Sequence, residues 1–321
     1  MGTIALRIAA RSCLSLVGLT LAALAVFSGS AIASETGRIG VSVTDLGNPF
    51  FVRVARGVET SARRVVGPEV KVYVASNAYD IERQIQQIDD FIRKQVDLIV
   101  LNAADPNAVE TAVNRAQAKG IRVVAVDVRA AGADATITTD NVQAGELACR
   151  HIVERLGGVG QIVIINGPPV SATIDRVAGC GKILDAAPGI RVLSADRNGG
   201  GTSEGGFAKM TDLLTLFPHI DAVFAINDPT AIGADDAARQ AGRSDFFIVG
   251  VDGAPKVKTR MKDGSSLIAA TVAQMPDKLA QKAVEAGYAL IRNQAVPERT
   301  VLIPAALLTR DSPTETEDWS Q

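Results

Sequence analysis

The sequence predicts an α/β protein made of two doubly wound lobes, each a mainly parallel sheet covered by helices on both faces. Three observations support this prediction. Short apolar runs alternate with helical segments, several runs are unbroken Val, Ile and Leu, as in Ile162–Ile165, and the runs are too numerous for one sheet in 321 residues. Unbroken apolar runs are typical of parallel strands buried on both faces. Alternation with helices indicates βαβ units, whose right-handed crossovers bring the carboxyl ends of the strands to one edge.

The predicted strands are nine apolar runs that follow one another along the chain: Ile39–Val43, Val70–Ala75, Leu98–Leu101, Val123–Val126, Ile162–Ile165, Val192–Ala195, Ala222–Ile226, Phe246–Val251 and Leu267–Val272. The segment between the second and third runs has the helical period, because Ile81, Ile85 and Ile88 fall on one stripe. A break at Ile137–Asn141 separates four βα units from a second series. This break divides the chain into two lobes.

The N-terminal residues indicate an export signal. Arg7 and Arg11 form a positive start, Leu14–Phe27 is largely apolar, and Ala31-Ile32-Ala33 matches the small-residue pattern of a cleavage site. A membrane anchor is the alternative, but the apolar run is short for a spanning helix, which needs about 20 residues. The sequence therefore predicts a signal peptide at residues 1–33 that is cleaved after Ala33.

The charge balance excludes two classes of partner. The formal net charge is −2, and loss of the two signal-peptide arginines makes it more negative. Nucleic acids and anionic membrane surfaces both require basic patches. We therefore expect neither as a partner.

Two cysteines, Cys149 and Cys180, follow the signal peptide, and both fall in helical segments. An oxidising compartment permits a bridge between them. Isolated thiols on apolar helix faces are more often packed as small hydrophobic side chains, which is the interpretation that we prefer. No spacing resembles a zinc site, and no metal or other cofactor is expected.

The junction after the first predicted strand carries the sequence Asn48-Pro49-Phe50-Phe51. In open α/β sheets, ligands bind just beyond the carboxyl ends of the strands. An aromatic face beside a fixed amide suits a molecule with C–H faces and a rim of hydroxyls, which describes a sugar. The alternative is that both phenylalanines belong to the core beneath the first helix.

Catalytic motifs are weak. Gly201–Gly205 fits the nucleophile-elbow pattern around Ser203, but polar Asp196–Asn198 and glycines separate it from the preceding strand. A secreted serine hydrolase therefore remains only a minor alternative. The first βα turn lacks the glycine pattern of dinucleotide-binding proteins. We expect a protein that is not an enzyme.

The chain resembles the ribose-type periplasmic sugar-binding proteins of bacterial ABC importers, members of the type I periplasmic binding protein family, from about Arg38 to Leu308. The resemblance rests on these blocks and on their order: Gly47–Phe51, Val126–Asp127, Thr139–Asn141, Ile174–Arg176, Phe224–Asp228, Val249–Gly253 and Ala270–Asp277. It implies a ligand pocket between the lobes, with aromatic rings against the sugar and polar groups on its hydroxyls.

By position, the resemblance assigns eight residues to ligand binding: Asn48, Phe50, Phe51, Asp127, Arg176, Asn227, Asp252 and Gln274. Thr44 and Arg129 are further candidates.

Four of these residues also have a structural interpretation. Asp252 and Asn227 could cap helices, and Asp127 could be a turn residue. Arg176 could be a solvated charge on a helix.

Two departures leave the ligand open. Val128 stands where ribose binders carry an arginine, and Asn198–Gly201 replaces a region where the family often supplies another ring. Ribose itself is therefore doubtful, and another pentose, a hexose, a ketose, a furanose or a polyol fits equally.

The expected function is capture of a monosaccharide or polyol in the periplasm by hinge closure, followed by delivery to the permease of an ABC transporter. A sensor for a membrane chemoreceptor or kinase is the alternative, and a chemoreceptor is a further candidate partner. We expect a monomer. The predicted parts are a first lobe of residues 34–139 and 273–300, a second lobe of residues 140–272 and 301–312, and a polar tail at 313–321. The expected hinge crossings lie near Thr139, Val272 and Val301.

Overall fold

The structure is a computed structural model that describes residues 37–312. The predicted signal peptide, its cleavage site after Ala33, and the tail at 313–321 lie outside the described residues. The elements follow in this order: β1 (Arg38–Val43), α1 (Pro49–Val66), β2 (Lys71–Ser76), α2 (Ile81–Arg93), β3 (Leu98–Leu101), α3 (Glu110–Gln117), β4 (Arg122–Val126), β5 (Ala135–Thr139), α4 (Asn141–Arg155), β6 (Gly160–Asn166), α5 (Ser171–Asp185), β7 (Ile190–Asn198), α6 (Ser203–Leu216), β8 (Ala222–Ala225), α7 (Asp228–Gln240), β9 (Phe247–Asp252), α8 (Pro255–Lys262), β10 (Ile268–Ala273), α9 (Pro276–Ile291), β11 (Thr300–Ile303) and β12 (Ala306–Thr309).

The strands of the described region form two six-stranded sheets that repeat one topology. Their orders are β11-β5-β4-β3-β1-β2 and β12-β10-β9-β8-β6-β7. Pairing is parallel throughout except for β12, which runs antiparallel to β10. The chain order reverses beside β1 in the first sheet and beside β6 in the second, and such reversals are where open α/β sheets bind ligands. The predicted fold class, two mainly parallel α/β lobes, is confirmed.

The central strands of each sheet are buried on both faces, which explains the unbroken apolar runs. In β3, Leu98 and Val100 pack in the cluster under α1 and α9, whereas Ile99 and Leu101 pack in the cluster under α2 and α3. Side chains alternate between the faces of a strand, so a strand covered on both sides is apolar at every position. None of the helices in residues 37–312 has both the length and the apolar character that a membrane span requires.

The two helices α4 and α5 are joined by a disulfide between Cys149 and Cys180, whose Cα atoms lie 5.1 Å apart. A side chain at Gly145 or Gly179 would collide with the backbone of the facing helix. These glycines let the two backbones approach closely enough for the sulfur atoms to meet. Our preference for two packed free thiols is therefore wrong.

Within residues 37–312 the chain passes between the sheets three times, from β5 to α4, from β10 to α9, and from β11 to β12. The third passage differs from the expected boundary at residue 301. Thr300–Ile303 forms β11 and pairs with β5 of the first sheet, so the crossing lies at Pro304 and Ala305. Proline has no N–H for a sheet ladder, which fits the end of the strand at this point. The second passage begins after Ala273, one residue beyond the predicted end of the second lobe.

Candidate functional site

The strand ends of the two lobes meet around a cavity of about 40 Å³. All eight predicted site residues line it: Asn48, Phe50, Phe51, Asp127, Arg176, Asn227, Asp252 and Gln274. Six further residues complete the described lining: Tyr79, Pro168, Val170, Ala172, Thr173 and Gly201. The other two candidates, Thr44 and Arg129, do not belong to this lining.

The aromatic wall comes from the start of α1. Asn48 has an extended backbone and caps the helix, because its Oδ1 accepts a hydrogen bond from the Phe50 N–H at 3.0 Å. Pro49 follows at the first helical position, where its missing N–H costs nothing. The rings of Phe50 and Phe51 meet edge to face with centroids 5.2 Å apart. Both rings are buried in the apolar cluster under α1 and α9, and both also line the cavity. The ligand-binding and core interpretations of this pair are therefore compatible.

Asp127 follows β4 with a left-handed backbone, φ 67°. Its N–H donates to the Ile137 carbonyl at 2.9 Å, and the Thr138 hydroxyl donates to its carbonyl at 2.5 Å. The Asn102 side chain, at the end of β3, donates to its carboxylate at 2.9 Å. Burial raises the pKa of the Asp127 carboxyl to about 6, against the effect of the Arg176 charge. Such a backbone persists only where its surroundings hold it, as they do here.

Arg176 lies on α5 and is buried, so it is not a solvated surface charge. Its Nε donates to the Asn141 side chain at 2.8 Å and its Nη1 to the Ile226 carbonyl at 2.9 Å. Nη1 also lies 3.8 Å from Oδ1 of Asp252. The guanidinium is thereby fixed as the positive charge of the cavity.

Asp252 ends β9 and is tied to the second crossing. Gln274 donates from Nε2 to the Asp252 carboxylate at 2.8 Å and accepts from the Thr139 hydroxyl at 2.7 Å. Gln274 therefore links the end of β5 in the first sheet to the end of β9 in the second.

Asp252 does not cap α8, because the N–H of Ala254 donates instead to Asp228 at 2.7 Å. Asp228 also accepts from the Thr271 hydroxyl at 2.6 Å. Its N–H in turn points at the Asp252 carboxylate, 3.4 Å away. Burial raises the pKa of both carboxyls, and the negative charge of Asp252 adds to the rise for Asp228.

Asn227 is both a cap and a cavity residue. Its Oδ1 accepts from the Thr230 N–H at 3.0 Å, which caps α7, and its Nδ2 donates to the Gly201 carbonyl at 2.9 Å. The predicted turn-and-cap role is therefore present together with the position in the cavity wall.

Sequence reasoning missed Tyr79. This residue follows β2 at the same sheet edge as Phe50, and an aromatic residue just after a strand is the signal that could have identified it. The next residue, Asp80, caps α2: its side chain accepts from the Arg83 N–H at 3.0 Å.

The chemistry of the site is hydrogen bonding. Carboxylate oxygens accept, the guanidinium donates, and the two ring faces offer an apolar surface. Residues 37–312 contain no group of three or more His, Cys, Asp and Glu suited to a metal ion. Ser203 begins α6 behind the cap residue Thr202 instead of following a strand directly, so it lacks the setting of a nucleophile elbow.

The family model for the periplasmic binding protein domain matches residues 39–295. The chain belongs to this family. The ribose import binding protein RbsB of Bacillus subtilis strain 168 is 33% identical over 275 residues, which cover 85% of this chain and 87% of the relative. The xylitol-binding protein of Mycolicibacterium smegmatis is 33% identical over 239 residues, which cover 73% of this chain and 67% of that relative. The predicted membership of the ribose-type periplasmic binding proteins is confirmed.

Solved structures agree with the fold. A periplasmic solute-binding protein of an ABC transporter from Actinobacillus succinogenes 130z, with bound D-allose, superposes with a TM-score of 0.78. It is 26% identical, and the match covers 86% of this chain and 98% of that one. The family consists of transport proteins without enzymatic activity, in agreement with the prediction that this chain is not an enzyme.

Proposed function

We propose that this protein captures an uncharged monosaccharide or polyol in the periplasm, between its two lobes, and delivers it to the permease of an ABC importer. The main observation in its support is that Asp127 of the first lobe and Arg176 and Asp252 of the second line one cavity together with Phe50. The relatives support the transport role, because they are named as import binding proteins and as periplasmic components of ABC transporters.

The charged side chains of the cavity retain hydrogen-bond donors and acceptors that ligand hydroxyls can use. A carboxylate has about four acceptor sites and a guanidinium five N–H donors. Asp127 and Asp252 each receive hydrogen bonds from neighbouring amides, and Arg176 uses its Nε and Nη1 on the protein. The remaining sites can accept from and donate to ligand hydroxyls, which do both. Hydrogen bonds to charged groups are about twice as strong as neutral ones.

The charge of the cavity favours an uncharged ligand. Two carboxylates, Asp127 and Asp252, face a single guanidinium, that of Arg176. A sugar acid or sugar phosphate would add negative charge to a buried site that already carries an excess of it, and burying unpaired charge is costly. A neutral polyol adds none. We therefore expect sugar acids and phosphates to be excluded.

Hinge closure supplies the signal for transport. The lobes touch through Arg129, whose N–H donates to the Ser171 hydroxyl at 2.8 Å and whose guanidinium binds Asp175 at 2.6 and 3.1 Å. Val128 of the first lobe and Val170 of the second also share an apolar cluster. A ligand held by both lobes shifts the equilibrium toward this closed arrangement in proportion to its differential affinity, and the permease would recognise the closed form. A monomeric state, an additional chemoreceptor partner and cleavage after Ala33 stay predictions.

The test is a thermal-shift screen with a panel of neutral pentoses, hexoses, ketoses and polyols, together with the matching sugar acids and phosphates, followed by calorimetry. At least one neutral compound should raise the melting temperature and bind with one-to-one stoichiometry, because ligands that bind only the folded state stabilise it. The acidic counterparts should have no effect. Binding of a sugar acid in preference to its neutral parent, or no response to any compound, would contradict the proposal.

A further inference from the structure

We propose that Tyr79 determines ligand specificity: its hydroxyl, which lies beside Gly201, donates a hydrogen bond to one ligand hydroxyl, and its side chain forms the end wall of the cavity. This inference rests on the proposed function, because it concerns the same ligand. It names a residue that lies outside the eight assigned from the sequence.

The hydroxyl end of the Tyr79 side chain reaches across the cleft. Tyr79 belongs to the first lobe, in the loop after β2, whereas Gly201 belongs to the second lobe, just before α6. Both line the cavity. The Tyr79 hydroxyl oxygen lies 3.7 Å from the position that a Cβ on Gly201 would occupy. The two residues therefore close one end of the cavity together.

Gly201 keeps this end of the cavity open to the tyrosine. Its φ is 70°, a conformation that favours glycine. A Cβ at this position would lie 3.3 Å from Asn227 Nδ2 and 3.7 Å from Pro168 Cδ, so any larger side chain would compete with the Tyr79 hydroxyl for the space between them. The second lobe thus presents backbone at this end, and the aromatic surface comes from the first lobe.

The loop that carries Tyr79 is held in an unusual conformation. Ala78 and Tyr79 have φ of 53° and 58°, and two successive residues other than glycine rarely adopt this region. The buried Asn77 side chain holds them: its Oδ1 accepts from the Tyr79 N–H at 2.9 Å, and its Nδ2 donates to the Asn102 carbonyl at 3.1 Å. The Ala78 N–H donates to the Thr44 carbonyl at 2.7 Å. Strain that the surroundings enforce is typical of functional positions.

Thr44 therefore acts on the site indirectly. It fixes the loop that presents Tyr79, and its hydroxyl donates to the Asn102 side chain, whose amide in turn donates to Asp127. The tyrosine and the carboxylate thus share one rigid support at the ends of β1 and β3.

The surroundings keep the Tyr79 hydroxyl in its donor form. Tyr79 as a whole is 38% exposed, but its hydroxyl end lies in the cavity wall, where desolvation and then the negative charges of Asp127 and Asp252 raise the pKa of the hydroxyl above its usual value. The phenol remains protonated at physiological pH and so offers an O–H to an acceptor. A ligand hydroxyl beside Gly201 would be that acceptor.

The experiment is a thermodynamic cycle that combines a substitution in the protein with the removal of one hydroxyl from the ligand. Wild type and Tyr79→Phe are titrated by calorimetry with the tightest neutral ligand of the panel and with each of its monodeoxy analogues. Tyr73→Phe is the matched control, because Tyr73 lies on β2 in the apolar cluster under α2 and α3, away from the cavity lining. The melting temperatures of all three unliganded proteins verify folding.

We expect Tyr79→Phe to weaken binding of the parent ligand roughly threefold to tenfold, as loss of one hydrogen bond does. For one monodeoxy analogue, which lacks the partner hydroxyl, the same substitution should change affinity by less than about twofold. Tyr73→Phe should leave every affinity unchanged. Equal losses for all analogues, or no loss for the parent, would overturn the assignment. Wild-type protein that binds no neutral ligand would instead overturn the proposed function.

Discussion

Asp235, buried on α7, and the buried aspartates of the cavity have different partners. Asp235 on α7 accepts from Arg260 at 2.8 Å, Arg239 at 3.3 Å, the Ser266 hydroxyl at 3.0 Å and the Leu267 N–H at 2.8 Å. The cavity aspartates, by contrast, accept from amides and share one guanidinium, which approaches Asp252 at 3.8 Å. Both kinds of carboxylate are removed from water.

This difference in partners distinguishes an aspartate that stabilises the fold from aspartates that serve ligand binding. A buried charge surrounded by donors and cations supports the fold, because removing it strands its partners. A buried carboxylate that borders a cavity and receives no hydrogen bond from a cation destabilises the unliganded protein and gains its remaining partners only when a ligand arrives. The two sets of aspartates should therefore respond oppositely to substitution.

The largest expected effect is on stability. Asp235→Ala should lower the free energy of unfolding by roughly 3–5 kcal/mol, because it leaves the Ser266 hydroxyl and the Leu267 N–H buried without their acceptor. Urea denaturation monitored by circular dichroism measures this change in the free energy of unfolding. Asp236→Ala is the control: Asp236 binds the same Arg260, but its side chain is 43% exposed, so its loss should cost less than about 1 kcal/mol. Equal losses of unfolding free energy in the two variants would contradict the stabilising role of the buried Asp235.

Asp127→Asn should act on binding instead. We expect ligand affinity to fall by about 10-fold to 150-fold, which corresponds to a lost hydrogen bond to a charged acceptor worth about 1.5–3 kcal/mol. The unliganded protein should be as stable as wild type or more stable, because a buried charge is removed without a change of shape. Calorimetric titration and thermal melting measure the two quantities. Unaltered affinity would remove Asp127 from the site.

The pH dependence of stability should reveal the same carboxyl. The pKa of Asp127 rises from 3.8 to about 6 on folding, so the folded state binds more protons than the unfolded state between these values. Stability therefore falls as pH rises through that interval and levels off above it. The stability gained by Asp127→Asn over wild type should be about 1 kcal/mol greater at pH 7 than at pH 5. Urea denaturation at both pH values measures this, and an identical gain at the two would contradict the raised pKa.

The smallest expected effect comes from an exposed pair that joins the lobes. Asp175→Asn weakens the contact with Arg129, whose side chain is 52% exposed, and should lower ligand affinity by less than about fivefold. Asp89→Asn, which loosens the exposed pair with Arg115 inside the first lobe, is the matched control and should leave affinity unchanged. Titrations at low and high salt measure the effect, which should shrink as salt screens the pair. A larger loss for the Asp89 variant would contradict the closing role of Asp175.

Much of the fold follows from the sequence, since periodic apolar runs define the strands and parallel strands share one carboxyl edge. The eight site residues follow from the resemblance to the ribose-type binding proteins, which the polar positions at that edge support. Asp127 directly follows β4, Asp252 ends β9, Asn227 lies between β8 and α7, and Asn48 caps the helix that follows β1.

Other parts of the structure carry weaker signals in the sequence. Tyr79 sits in a left-handed turn without glycine, so an aromatic residue shortly after a strand is a weak signal for it. The edge strands β11 and β12 are only partly buried and are not among the predicted strands, whereas the equally short β3 and β8 are buried along their whole length.

Pairing of Cys149 with Cys180 depends on the spacing between two helices. The sequence contains Gly145 and Gly179, which permit the close approach, but it does not show that the two helices face each other. Each cysteine looks like a small packed side chain when its own helix is considered alone. The facing of these two helices is therefore a part of this structure that sequence reasoning could not supply.

A crystal structure of the complex with the tightest neutral ligand tests the central claim most directly. The account predicts one ligand in the cavity, with a ring or chain face against Phe50 or Phe51 and hydroxyls within 3.2 Å, the usual upper range of a hydrogen bond, of Asp127, Arg176 and Asp252. A ligand bound elsewhere, or one that contacts the residues of a single lobe only, would contradict it.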